Sequence, residues 1–214
     1  MNWPFNRLNL VLLAAMVFLT IAGFWFIPPD RPVPMHWNWH GVADSWWPRS
    51  RALLLVPLVA GAIVILCWVL ARAGLQIARG GGGRRHAVVV SCVFVVLLVV
   101  QLIVVLAGSG HSVPPIRAIT FVVALIFIAI GNVLPKAGAG GPLFGWLQSL
   151  RIVRERGAQK LVGGLMMVSG SVLLIASVLD APPPLLVAAV LLAVAAPIVA
   201  GIAYAILRPR FRNS

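Results

Sequence analysis

A chain of 214 residues that is 61% hydrophobic and only 10% charged departs from soluble domains, where about a quarter of residues are charged, and points into lipid. The formal charge of +13 would suit nucleic acid, but the basic residues sit in short segments between apolar runs and form no folded basic face, so no nucleic-acid partner is expected. Cys67 and Cys92, the only cysteines, lie inside apolar runs and read as small buried hydrophobes, with no CxxC motif and no disulfide framework.

Six apolar runs follow one another, at residues 8–27, 52–71, 87–107, 116–134, 161–179 and 185–207. Each is long enough to cross hydrocarbon and none holds an ionised side chain in its middle. Lipid cannot hydrogen-bond a backbone, so each run must be a helix. The expected fold is therefore all-α, a polytopic bundle of six transmembrane helices forming a single integral membrane domain over 1–214. The first run is too long for a signal core and has no small-x-small site after it, so it reads as a retained span. Pro57 and Pro197 fall inside the second and sixth runs, where a kink is expected. The spacing of Ala196 with Ala200 and of Gly201 with Ala205 suits close helix contact.

Thirteen of the seventeen Lys and Arg fall on one side of this topology, and Arg31, Arg49, Arg51 and Arg117 on the other. The asymmetry places both termini in the cytoplasm and the loop at 28–51 outside. The inner loops at 72–86 and 135–160 are basic. The first contains "RGGGGRR", a flexible linker; in the second, Leu143–Val153 could lie along the membrane surface, inserting Phe144, Trp146, Leu147 and Leu150.

The spans lack the Asp, Glu, His, Lys or Arg that ion and proton pathways use, and offer mainly Gln101, Asn132, Thr20, Thr120 and Tyr204. Gln101 is expected to hydrogen-bond a neighbouring helix. No catalytic set emerges, and Ser45 beside Asp44 reads as a turn residue, so no enzyme activity and no cofactor are expected.

Chemistry collects instead in "IPPDRPVPMHWNWHGVADSWWPRSR", residues 27–51. Pro28, Pro29, Pro32 and Pro34 make the chain a stiff, non-helical arm, and Gly41 permits a turn. Trp37, Trp39, Trp46 and Trp47 suit a headgroup layer. His36 and His40, flanked by Asp30 and Asp44, would bind zinc only from a helix that the prolines and Gly41 oppose. A second reading has His36 and Asn38 bracing the turn through the loop's own backbone; a third is recognition of an outside peptide or lipid headgroup.

This loop resembles the domain of unknown function that follows the first span in SdpI-type bacterial membrane proteins. Pro29, Asp30, Pro34, His36, Trp37, Asn38, Gly41, Asp44 and Arg49 carry the likeness. Asn132, Pro135 and Lys136 resemble the Asn-x-x-Pro-Lys that closes the fourth span of that family, and "GAQKLVGGLMMVSG" its fifth-span start. The segment 137–157 departs from the family pattern. The resemblance implies a bacterial plasma-membrane protein of toxin immunity or envelope sensing. Its outer loop would meet a secreted peptide toxin, and its inner loops a cytoplasmic repressor or another membrane protein. A transporter of a hydrophobic or peptide substrate, with a polar path around Gln101 and Asn132, and an assembly partner of another membrane protein are the alternatives.

Overall fold

A computed structural model describes residues 7–72, 83–136 and 156–207. Among the described residues six helices are long and apolar enough to cross a membrane: α1 (Arg7–Phe26), α2 (Arg49–Arg72), α3 (Gly83–Gly108), α4 (Pro115–Val133), α5 (Arg156–Val178) and α6 (Pro183–Leu207). The protein is a multi-pass, helical membrane protein. Two short strands, β1 (Val33–Trp37) and β2 (Ala43–Trp47), form an antiparallel hairpin between α1 and α2. The surface segment expected over Leu143–Val153 lies outside the described residues.

The helices outrun the apolar stretches that announce them. α2 begins at Arg49 and α5 at Arg156, three and five residues ahead of the apolar runs, and α3 takes in Gly83–Arg85 from the expected flexible linker. Hydropathy marks the part of a helix that needs lipid, whereas backbone bonding decides where the helix starts. The first backbone bonds of α2, α4 and α6 are accepted by the carbonyls of Pro48, Pro114 and Pro182. Pro115 and Pro183 then occupy a first-turn position whose N–H would have no partner in any case. Pro57 and Pro197 lie inside helices that run through them.

The chain divides into two compact units, Met1–Ile119 and Thr120–Ser214. In the first, Leu12, Met16, Val56, Ala60 and Phe94 form the core shared by α1, α2 and α3. A second cluster of Ile27, Val33, Ala52, Leu53, Val104 and Val105 joins the ends of those helices to β1. Polar residues turn inward: Ser91 donates to Asn9 Oδ1 at 2.5 Å, and Gln101 Nε2 to Thr20 Oγ1 at 3.0 Å and the Leu53 carbonyl at 3.1 Å. Gln101 thus makes the interhelical bond its sequence position suggests. Outward faces stay apolar, with Val11, Phe18, Ile21, Leu58 and Ile65 exposed, as lipid as solvent demands.

The second unit is packed by glycine. A side chain at Gly131 would meet the Gly163 carbonyl oxygen at 2.6 Å and Met167 N at 2.8 Å. One at Gly170 would meet the Ala124 carbonyl oxygen at 2.8 Å and Ile128 N at 3.0 Å. Residues seven apart on α4, Ala124 and Gly131, therefore oppose residues seven apart on α5, Gly170 and Gly163, and the two backbones touch. Of the residues expected to allow close contact on α6, Ala196 is exposed and Gly201 is buried. Ala124, Leu173 and Ala193 bring α6 into the same core.

Candidate functional site

Among the described residues the hairpin gathers both His36 with Asp44 and most of the loop tryptophans, and its construction starts at the end of α1. Pro28–Arg31 makes a turn, the Arg31 N–H donating to the Pro28 carbonyl at 3.2 Å, with Pro29 and Asp30 at its centre. Proline's fixed φ suits that second position. Val33 then buries completely against Ile27, Leu53 and Val104, and its methyl groups lie 3.2 Å from where a side chain on Gly108 would begin. This seat holds β1 on the ends of the helices.

At the far end, Asn38 makes the turn. Its N–H donates to the Val42 carbonyl, its carbonyl accepts from Gly41 N, and its side-chain Oδ1 accepts from the N–H groups of His40 (3.0 Å) and Val42 (3.1 Å). Gly41 takes φ +81°, the left-handed conformation that closes a three-residue hairpin loop. Asn38 therefore braces the loop backbone as expected.

His36 does not join it there. It faces Ser45 across the strands, and its Nδ1 lies 2.5 Å from Asp44 Oδ1. An ionised carboxylate only accepts, so the proton between them sits on Nδ1, and Nε2 points away from the pair. The pair exists because the register shifts on either side of His36, which brings two residues eight apart in sequence onto one face. It is open to solvent, with His36 69% and Asp44 42% exposed.

Pro34 pairs with Trp46 and Trp37 with Ala43. The Trp39 and His40 rings lie 4.1 Å apart, tilted by 46°; His40 falls in the turn between the strands and does not share a helical face with His36. Among the described residues no group of three or more His, Cys, Asp or Glu is placed to hold a metal ion. Ser45 is a strand residue, not a turn residue, and among the described residues no side-chain hydrogen bond links it to His36.

Arg49 closes the hairpin's base. Its Nη1 donates to the carbonyls of Ile27 (2.6 Å) and Phe24 (3.3 Å), and its guanidinium lies 5.3 Å from the Phe24 ring centre. A cation at the C-terminal end of a helix answers its last carbonyls and its dipole together. The first residue of α2 thereby locks the end of α1. Trp25, Phe26, Trp39, Val42, Trp46 and Trp47 remain exposed around this rigid frame.

A family described as a domain of unknown function (DUF1648) matches residues 11–61. The match takes in most of α1, the whole hairpin and the first half of α2, about a quarter of the chain. No curated protein and no solved structure matches the chain.

The second group of candidate residues lies in the other unit. Asn132 is in the last turn of α4, and Pro135 and Lys136 form the 3-10 turn that follows it. The Pro135 ring packs where a Gly163 side chain would stand, with Cγ and Cδ at 2.8 Å from that position. Pro135 thus ends α4 against α5. The residues missed by sequence reasoning are Leu53 and Val33, whose roles depend on what packs across from them.

Proposed function

We propose that this is a non-enzymatic receptor-like membrane protein of the SdpI type, in which the hairpin is the recognition element for a membrane-active peptide outside a bacterial cell. The supporting observation is the hairpin's construction. Val33, Asn38 and Arg49 fix its backbone at both ends, while Trp39, Trp46, Trp47 and an Asp44-oriented His36 stay open. Rigid aromatic groups beside a directed polar group are what peptide recognition uses, because little side-chain freedom is lost on contact. The arginine asymmetry supports an outside hairpin in the plasma membrane with basic loops and both termini inside, where a cytoplasmic repressor or another membrane protein would be met.

The permease reading loses its main residue. Both amide hydrogens of Gln101 are spent on α1 and α2, which makes the side chain a structural tie. The test is survival of a sensitive bacterium challenged with membrane-active peptides, with and without the protein. Protection or a transcriptional response that falls at least tenfold in a Trp39→Ala/Trp46→Ala variant of equal abundance is the expected result. Full retention in that variant, or no protection and no response against any peptide, would remove the proposal.

A further inference from the structure

One side chain ties three helices of the first unit, and it does so at a break in one of them. Pro57 lies inside α2 and has no N–H, so the carbonyl four residues earlier, that of Leu53, has no helical donor. Gln101 Nε2 supplies the missing donor at 3.1 Å. The same nitrogen donates to Thr20 Oγ1 at 3.0 Å, and Thr20 sends its own proton to the Met16 carbonyl at 2.8 Å. The Leu53 carbonyl fixes the amide's orientation in this state, because it only accepts and only the nitrogen donates. Gln101 is fully buried, yet among the described residues no donor reaches its Oε1.

We propose that Pro57 and Gln101 form a latched hinge in α2. The outer arm of the helix, residues 49–56, is joined to the rest by one backbone bond fewer than a continuous helix has, and Gln101 provides the replacement from α3. The arm carries Arg49, which holds the end of α1, and Ala52 and Leu53, which share a core with Val33 of the hairpin. A load on the hairpin therefore bears on the arm, and the arm's lower end is the latch.

A released state is built from the same groups. Turning the amide over presents Oε1 to Thr20, whose hydroxyl can leave the Met16 carbonyl and donate to it, while the Leu53 carbonyl is let go. Met16 loses little, since its carbonyl still accepts the N–H of Thr20 within α1. Two arrangements of one set of groups are what a two-state element requires. The hinge stands whatever meets the hairpin, and its test uses no ligand.

Amide hydrogen exchange of the full chain in lipid nanodiscs tests it, using Gln101→Met, Pro57→Ala and the double variant. Gln101→Met should speed exchange in the arm and both strands about tenfold, as expected when a buried carbonyl loses its only donor. Pro57→Ala supplies an N–H to Leu53, so adding Gln101→Met to it should change exchange by less than about twofold. Equal acceleration in both backgrounds, or none in either, overturns the hinge. Should Gln101→Met fail to fold, recovery of folded protein in the double variant supports the hinge, and failure to recover overturns it.

Discussion

The two units hold their helices together by different means. In the first, side chains stand between helices: Phe94, Met16 and Leu53 fill the space, and Asn9, Thr20, Ser91 and Gln101 bond across it. Even at Gly23 an added Cβ would meet the Leu53 side chain, at 2.5 Å, and not a backbone. In the second, Gly131, Gly163 and Gly170 bring α4 and α5 into backbone contact. Lipid offers no hydrophobic gain for pairing apolar helices, so association must come from polar bonds or from close approach. Polar ties can exchange partners, whereas a backbone seam either fits or does not. The unit that bears the hairpin is tied across its helices by Asn9, Thr20, Ser91 and Gln101.

Substitutions can break or sharpen this contrast. Gly131→Ala should be the most damaging, because its Cβ would meet Gly163 O at 2.6 Å and Met167 N at 2.8 Å, neither of which can move aside. A loss of about 3 kcal/mol is expected, read as a lowered thermal midpoint in detergent. Thr20→Val removes one acceptor from Gln101 while keeping its shape, and should cost roughly 1–2 kcal/mol by the same measurement. If Thr20→Val proves the costlier of the two, the contrast between the units is wrong.

Asn38→Ala takes away the acceptor for two turn amides and should cost about 1 kcal/mol. Its effect should be local, seen as faster exchange at His40 and Val42 with the spans unchanged. Gly164→Ala is the control for the glycine seam. A Cβ there meets nothing within 4 Å, so stability should shift by no more than about 0.5 kcal/mol.

Much of this architecture is legible in the sequence, because lipid imposes simple rules. Six apolar runs give six helices, and Gln101, alone in a long apolar run, announces an interhelical bond. Helix ends shift because Pro48 and its neighbours set them, not hydropathy. The strands are hidden, since "VPMHW" alternates only across a proline and "ADSWW" not at all, and they owe their pairing to the seat of Val33 and the turn at Asn38. That turn was readable as an Asn three residues before a Gly. The His36–Asp44 pair was not, because register shifts create it. The Leu53 carbonyl could have been found: a proline inside a span frees the carbonyl four residues back, and something must answer it.

The proposed direction of recognition rests on the hairpin facing outward. A chain with Cys67→Ala and Cys92→Ala, carrying a single new cysteine by Val42→Cys at the exposed turn, tests it directly in intact cells with a membrane-impermeant thiol reagent. The account predicts labelling at Val42→Cys before lysis and labelling at Lys160→Cys, in the same background, only after it. The reverse pattern would place the hairpin inside the cell and contradict the account.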